Sequence, residues 1–332
     1  AVAEARAELA ALLGADPGAL LFTGCATEAN NLALRGAARA LSHQGRHLIT
    51  SAVEHPSVAA PLARLAEEGW EVEPLPVDET GRVRPADLER RLRPNTALVS
   101  VMHANNEVGT VQPVAELARL AHGAGARFHT DAAQSVGKLP VEVDALGADL
   151  LTVAGHKFGA PKGVGALYVR PGTPLDPLLL GGGQERGLRP GTENVPHIVA
   201  LGAAARHART RREADATRTA ALRDRLHQRL AERIPGLLLN GHAAERLPGT
   251  LHVSFPGVSG AELLTRCAGE VAASTGSACH SGKAGPSGLL GAMGLSPERA
   301  AGAVRLSVGH ATTRGDVERA AEALVRAHAE LT

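Results

Sequence analysis

Apolar runs alternate with amphipathic stretches from the start of the chain to about residue 205. The short apolar runs predict strands and read ALLFT, HLIT, VEPLPV, TALVSVM, ARFHTD, DLLTVA and GALYV. Between several of them the apolar positions recur with helical spacing, as in residues 28–41, 57–68 and 114–122. This alternation predicts an α/β fold whose large, mostly parallel sheet is covered by helices on both faces.

A long helical pattern rich in Ala and Arg follows over residues 196–233 and predicts a helix that connects two domains. Beyond it, the runs TLHVSF, EVAAS and AVRLSV predict strands of a smaller α/β unit, and a helical pattern extends from Thr313 to the end. We therefore expect a large domain over residues 1–205 and a small C-terminal domain over residues 206–332.

Composition narrows the function classes. The 332 residues include 35 Lys and Arg against 34 Asp and Glu, so the chain has no basic field for nucleic acid. Its three cysteines are an odd number without a CxxC pair, which argues against a disulfide framework and a structural zinc site. No apolar run reaches the length of a membrane span, so we expect no membrane partner and a cytoplasmic location.

Five polar clusters each follow a predicted strand. They read FTGCATEANN, SAVEHPSV, HANNEVGTVQP, FHTDAAQSVG and TVAGHKFGAPKG. In doubly wound sheets, ligands bind beyond the carboxyl ends of the strands. The coincidence of five clusters at that edge predicts a binding site there, whose candidate residues are Thr27, His55, Asn105, Asn106, Glu107, Asp131, Gln134, His156 and Lys157.

Each cluster also has a simpler interpretation when it is taken alone. Lys157 is either a Schiff-base nucleophile, activated by partial desolvation at a strand end, or an ordinary loop lysine. Asp131 either pairs with a cationic ring nitrogen or caps a turn. Thr27 either lies in a phosphate cup at a helix N-terminus or caps that helix.

The stretch STGSACHSG contains Cys279 among small polar residues. The residues alone leave four roles open for this cysteine: nucleophile, metal ligand, disulfide partner or small loop residue. Adjacent Cys279 and His280 lack the spacing of metal ligands, so we expect no metal site. His280 and Lys283 could favour a thiolate, and the surrounding glycines allow a loop that moves.

Together these motifs resemble the NifS/IscS-type cysteine desulfurases of the class V aminotransferase family, which are fold type I pyridoxal phosphate enzymes. The most specific pieces are GHKFGAPKG, NNEVGTVQP, DAAQSVGKLP, GGGQERGLRPGTENV and STGSACHSG. The resemblance runs from Glu4 to the end of the chain. The last two motifs look as much like selenocysteine lyase, which shares the fold and the cofactor.

The resemblance implies that pyridoxal 5′-phosphate is the cofactor. Lys157 then carries the cofactor as a Schiff base, and Asp131 holds the ring nitrogen so that the ring can act as an electron sink. The resemblance also implies that Gln134 contacts the ring hydroxyl oxygen, and that His55 stacks on the ring and serves in proton transfer. Asn106 then orients cofactor and substrate. The phosphate is contacted by Thr27, His156 and Thr192.

The resemblance also implies the reaction and the partners. Arg305 binds the substrate carboxylate, and Cys279 takes the sulfur of L-cysteine as a persulfide while alanine is released. The expected partners are a sulfur-acceptor protein, such as an iron–sulfur scaffold, and a second copy of the chain, because Thr192 reaches the phosphate across a homodimer interface.

The sequence departs from the family pattern in three places. Ala154 stands where a serine usually contacts the phosphate, Cys25 stands where many members have glycine, and an N-terminal family segment is expected to be missing. Two other functions stay open: a selenocysteine lyase, which releases selenide from L-selenocysteine, and a non-catalytic scaffold of the same fold.

Overall fold

The computed structural model describes residues 1–275 and 288–332. These residues form two compact units, and the segments of each unit are not continuous in sequence. The first unit comprises Ala1–Pro76, Val83–Ala104 and Gln112–Arg212. The second comprises Val77–Arg82, Asn105–Val111 and Glu213–Thr332.

A seven-stranded sheet forms the centre of the first unit. Its strands are β1 Leu20–Thr23, β2 His47–Ser51, β3 Glu71–Leu75, β4 Thr96–Ser100, β5 Arg127–Asp131, β6 Leu150–Ala154 and β7 Gly165–Val169. Their order across the sheet is β1-β7-β6-β5-β4-β2-β3. Strands β2 to β6 pair in parallel, and β7 runs antiparallel to both β6 and β1. The predicted mostly parallel sheet is confirmed.

Helices cover both faces of this sheet because the strands are apolar on both sides. They are α1 Val2–Leu13, α2 Ala26–Asn31, α3 Ala37–Leu41, α4 Pro56–Glu67, α5 Pro85–Glu89, α6 Val114–Gly123 and α7 Val143–Leu146. One buried cluster contains Leu9 of α1 with Leu151 of β6, and a second contains Leu41 of α3 with Leu98 of β4. Two separate cores are the expected result for a buried parallel sheet.

The helix predicted over residues 28–41 is present but not uniform. Between α2 and α3 the backbone widens into a π-helical turn over Leu32–Gly36. Such turns inside a helix are uncommon and frequently lie near functional sites. The composition of the segment gives no signal for the change in winding.

The outer edge of β1 is covered by an ion pair between Arg6 and Glu185. The guanidinium donates to the two carboxylate oxygens at 2.6 and 2.8 Å, and to the carbonyl oxygen of Leu20 at 2.8 Å. The backbone N–H of Phe22 donates to the same carboxylate at 3.0 Å. These bonds satisfy backbone groups that an uncovered edge strand would offer to another chain.

The second unit contains a three-stranded antiparallel sheet of order β10-β9-β8. Its strands are β8 Leu238–Asn240, β9 Thr250–Ser254 and β10 Ala303–Ser307, and its helices are α9 Gly260–Arg266, α10 Gly288–Ala292, α11 Pro297–Ala301 and α12 Arg314–Ala329. The predicted long helix is α8 Val195–Arg233, whose residues divide between the two units after Arg212. Buried Phe255, Leu263 and Leu324 belong to the core of this unit.

The prediction of a strand at EVAAS is wrong. Only Ser274 pairs there, through one isolated bridge to Arg305 of β10, because Glu270 and Val271 direct their N–H groups back to the carbonyl of Cys267 in a turn. Strand β8, which has only three residues, was not predicted from the sequence. Within the described part of the chain, no helix is long and apolar enough to cross a membrane.

Candidate active site

The polar clusters of the first unit follow strands that end at one edge of its sheet. Asp131 is the last residue of β5, and its partner across the ladder is Thr152 of β6. Two residues beyond Thr152, β6 ends at Ala154, and Lys157 closes the short 3₁₀ turn that follows. Because parallel strands end at the same edge, this topology brings Asp131 close to the loop that carries Lys157.

Asp131 is a buried carboxyl with defined partners. Its Oδ1 accepts the N–H of Ala133 at 2.8 Å, and its Oδ2 accepts the side-chain amide of Asn30 at 2.7 Å. Burial raises the pKa of Asp131, whereas these hydrogen bonds and the charges of His55 and Lys157 act to lower it. A buried carboxylate of this kind gains from a cationic partner within the site.

Asn30 links the carboxylate to the loop after β2. The side chain is fully buried on α2, and its Nδ2 donates both to Asp131 and to the hydroxyl of Ser57 at 2.8 Å. Asn30 is not among the site residues predicted from the sequence. The signal available was an asparagine one helical turn after Thr27, but only the tertiary fold shows which side of the helix meets Asp131.

His55 begins α4 as its N-cap. Its Nδ1 accepts the N–H of Ser57 at 3.1 Å and lies 2.8 Å from the Ser57 hydroxyl. Since Nδ1 serves as the acceptor, the neutral ring carries its proton on Nε2. Asn30, Ser57 and His55 thus form one hydrogen-bonded series that ends at the Asp131 carboxylate.

Lys157 and His156 lie exposed in the turn after β6. Burial and the positive charge of Lys157 lower the pKa of His156, so its ring is neutral at physiological pH. Gln134 is half-buried in the turn after Asp131, and its carbonyl oxygen accepts a hydrogen bond from Lys138 at 3.1 Å. Lys138 is not among the site residues predicted from the sequence.

The N-terminus of α2 lies at the same edge. A side chain at Gly165, the first residue of β7, would place its Cβ 3.0 Å from the backbone nitrogen of Ala26. The absence of that side chain lets the strand approach the start of the helix closely. Thr27 is exposed in the first turn, where helical N–H groups and the helix dipole favour an anion.

The loop over GGGQERGLRPGTENV is tied to this helix start. Arg189 donates to the carboxylate of Glu28 at 2.7 Å, and the second oxygen of Glu28 accepts the N–H of Gly24 at 2.8 Å. Thr192 of the same loop is exposed. The ion pair therefore fixes the backbone on both sides of the Thr27 turn.

A second carboxyl group, that of the half-buried Glu54, lies next to the site. Its Oε1 accepts hydrogen bonds from Ser51 at 2.5 Å and from the N–H of Met102 at 2.8 Å. Burial raises the pKa of Glu54 to about 8, and the negative charge of Asp131 contributes to the rise. Glu54 is therefore largely protonated at neutral pH.

Two predicted substrate and cofactor residues belong to the second unit, where they are in direct contact. Arg305 of β10 donates from its guanidinium to the carbonyl oxygen of Asn106 at 2.9 Å. The loop around Asn106 is held by Asn105, whose side-chain oxygen accepts the N–H groups of Glu107 and Val108 at 2.8 and 3.0 Å. The arginine and the asparagine are thus organised as a pair.

The cysteines have different positions. Cys279 lies outside the described residues, as do the neighbouring His280 and Lys283. Cys25 is half-buried at the N-cap of α2, and Cys267 is buried with its thiol 3.3 Å from the carbonyl oxygen of Leu263. Ala154 is buried as the last residue of β6 and offers no side-chain hydrogen bond there.

Comparison with known proteins gives a consistent result. The model of the family described as Aminotransferase class-V matches residues 1–320. The chain is 44% identical to a curated cysteine desulfurase IscS of Dictyoglomus turgidum over 98% of its length and 83% of the relative. It is 46% identical to a protein of the same name from Anaeromyxobacter dehalogenans, over 96% of this chain and 80% of the relative.

Solved structures agree. A NifS-like protein superimposes with a TM-score of 0.91 at 35% identity, over 99% of this chain and 87% of the other. A structure described as SspA in complex with cysteine superimposes with a TM-score of 0.80 at 36% identity, over 93% of this chain and 86% of the other.

Proposed function

This chain belongs to the aminotransferase class-V family, and from that membership we propose that it is a pyridoxal-phosphate-dependent cysteine desulfurase. The reaction converts L-cysteine to L-alanine and transfers the sulfur to Cys279. The observation that carries the proposal is the buried carboxylate of Asp131, held by Asn30 next to the loop of Lys157. The curated relatives named cysteine desulfurase support the choice of reaction.

The residues at the sheet edge fit the cofactor. The buried Asp131 carboxylate, whose pKa is raised by burial, is suited to a protonated ring nitrogen, which would restore the charge balance. The start of α2 beside Gly165 is suited to a phosphate group. When bound, pyridoxal phosphate supplies an electron sink for a carbanion at the substrate carbon.

The remaining roles are those that the family resemblance implies for each side chain. Lys157 is the amine that would attach the cofactor, and His55, with its proton on Nε2, would hold the ring and move protons at the substrate. Gln134 contacts the ring hydroxyl oxygen. Thr27, His156 and Thr192 bind the phosphate, and Arg305 with Asn106 orients the substrate carboxylate.

Sulfur transfer is assigned to Cys279. Its thiolate attacks the substrate sulfur, so that an S–S bond forms while the C–S bond breaks, and the electron pair of that bond is left on the substrate carbon. Protonation of that carbon gives alanine. The persulfide then passes to a sulfur-acceptor protein, such as one in iron–sulfur cluster assembly.

The proposal extends to location and assembly. We expect a cytoplasmic homodimer in which Thr192 of one copy approaches the phosphate bound by the other. Leu179, Leu180, Val195 and Val199, on either side of Thr192 in sequence, are large apolar side chains exposed in the single chain, and they support burial by a second copy.

The deciding experiment measures cofactor and products together. The purified protein with added pyridoxal phosphate is expected to absorb near ~400 nm, and borohydride is expected to attach the cofactor permanently to Lys157. Alanine release is then compared between L-cysteine and L-selenocysteine. Turnover of selenocysteine alone would indicate a selenocysteine lyase, and a colourless protein that cannot be reconstituted would indicate a scaffold.

A single substitution tests the sulfur carrier. Cys279→Ser is expected to abolish persulfide formation from cysteine while the absorption of the bound cofactor remains. Cys267→Ser is the matched control, because a buried hydroxyl can keep the hydrogen bond to the carbonyl of Leu263 and should leave persulfide formation intact. Retention of the persulfide in Cys279→Ser, or loss of cofactor absorption, would contradict the assignment.

A further inference from the structure

Lys138 is a half-buried cation that none of the roles above uses. It lies in the turn that follows Asp131, where the N–H of Ser135 donates to Ala132 and that of Lys138 donates to Ser135. This winding brings the ammonium of Lys138 back over the side chain four residues earlier. Its Nζ donates to the carbonyl oxygen of Gln134 at 3.1 Å.

The contact fixes the direction of the Gln134 amide. An ammonium group offers only donors, so the amide end that meets it has to be the oxygen, and the opposite orientation would set N–H₂ against a cation. The two ends of a glutamine amide have nearly the same size, and packing alone does not choose between them. Lys138 therefore leaves the N–H₂ end of Gln134 for another partner.

The same turn packs against the loop of Lys157. Gly137 has a φ of 77°, and a Cβ there would lie 2.6 Å from the Cβ of Phe158, the residue directly after Lys157. Burial, with the charge of Lys157, lowers the pKa of Lys138 to about 8. Lys138 is thus close enough to the site to act on it through Gln134.

We propose that Lys138 is a positioning residue, which orients the amide of Gln134 so that its N–H₂ donates to the ring hydroxyl oxygen of bound pyridoxal phosphate. The inference rests on the proposed function, because it requires that cofactor. Without Lys138 the amide can turn and present its carbonyl oxygen to the ring oxygen. The hydrogen bond from the N–H₂ group is then replaced by repulsion between two oxygen acceptors.

The test compares two ligands on the full-length apoprotein. Lys138→Met keeps the length of the side chain but removes the donors. It is expected to weaken binding of pyridoxal phosphate by roughly tenfold or more, the range for a hydrogen bond to a charged oxygen. Binding of an analogue that lacks the ring hydroxyl is expected to change less than about twofold, because the amide has no partner on it.

Two further variants separate positioning from charge and folding. Lys162→Met removes an exposed lysine whose charge also acts on His156, and it is expected to leave both dissociation constants near the wild-type values. In a Gln134→Met background, Lys138→Met is expected to have no additional effect on cofactor binding.

The outcomes distinguish the two ideas. Equal weakening of both ligands by Lys138→Met, or unchanged binding of pyridoxal phosphate, would overturn the role of Lys138. A wild-type protein that bound neither ligand would overturn the proposed function itself. A loss confined to pyridoxal phosphate and absent without Gln134 supports positioning.

Discussion

At the scale of single residues, the carboxyl groups of Glu54 and Asp131 lie close together, and the pKa of each is raised, by burial first. Glu54 accepts from Ser51 and the Met102 N–H, and its pKa is raised to about 8 by burial first and by the charge of Asp131. Burial raises the Asp131 pKa as well, and its hydrogen bonds with Ala133 and Asn30 and the nearby His55 and Lys157 oppose the rise. A protonated Glu54 thus adds no negative charge beside Asp131.

The raised pKa of Glu54 predicts that the stability of the folded protein depends on pH. The pKa of Glu54 is higher in the folded protein than its ordinary value of 4.5, so the folded state retains the proton longer and stability falls as pH rises from about 4.5 to about 8. Glu54→Gln keeps the acceptor oxygen but has no proton to lose. Relative to wild type, its melting temperature is expected to rise by roughly 5 °C or more between about pH 5 and pH 8.

The measurement is thermal unfolding of both proteins across that pH range. Glu89→Gln, at an exposed glutamate, is the control and is expected to follow the wild type. A difference between Glu54→Gln and wild type that stays constant with pH would show that Glu54 does not change protonation there.

At the scale of elements, the site depends on loops that approach one another closely after their strands end. The turn after β5 meets the loop after β6 at Gly137, where the positive φ and the short distance to Phe158 leave no room for a side chain. The loop containing Arg189 meets the start of α2 through Glu28. The strands fix where these loops begin, and the close contacts fix how they lie.

Gly137→Ala is expected to disturb the Lys157 loop. The substitution adds left-handed backbone strain of about 1 kcal/mol and a clash with Phe158, so we expect a loss of roughly 2–4 kcal/mol in stability and weaker cofactor binding. Thermal unfolding and a pyridoxal phosphate titration measure the two effects.

Gly172→Ala provides the matched control. Gly172 has a similar φ of 84°, but a Cβ there meets nothing within 4 Å. Its expected effect is the backbone strain alone, with cofactor binding unchanged. If the two variants behaved alike, the contact between Gly137 and Phe158 would not be responsible for the position of the loop.

At the scale of the whole molecule, the chain has two units with separate cores and an exposed apolar segment. The predicted domain boundary near residue 205 stays a prediction. The two compact units divide after Arg212, and segments 77–82 and 105–111 belong to the second unit. In the first unit, Leu180 is 88% exposed and Leu179 is 54% exposed. Exposed large apolar side chains next to one another are typical of an interface.

Leu180→Asp is therefore expected to shift the protein from dimer toward monomer, because a carboxylate would be buried without a partner in the proposed interface. Analytical ultracentrifugation measures the change. Leu238→Asp, at an exposed leucine of the second unit, is expected to leave the mass unchanged. A wild-type protein that is already monomeric would refute the homodimer.

The sequence by itself determined most elements of the first unit and the polar residues at the ends of its strands. Buried strands are apolar on both faces, so the apolar runs that form them and the parallel sheet could be predicted. The polar clusters that contain Asp131 and Lys157 come at the ends of these runs and could be predicted with them. The family resemblance was also available, because its motifs are contiguous in sequence.

Only the tertiary structure decided which distant side chains meet. Asn30 reaches Asp131 across 101 positions, and Arg6 reaches Glu185 across 179, and no local pattern encodes either pair. The backbone of the turn after β5 places the ammonium of Lys138 within hydrogen-bond distance of Gln134. Burial raises the pKa of Glu54, so that this side chain stays protonated at neutral pH. Hydrophobic periodicity determines which face of an element is buried, whereas hydrogen-bond partners and pKa shifts depend on what the fold packs against that face.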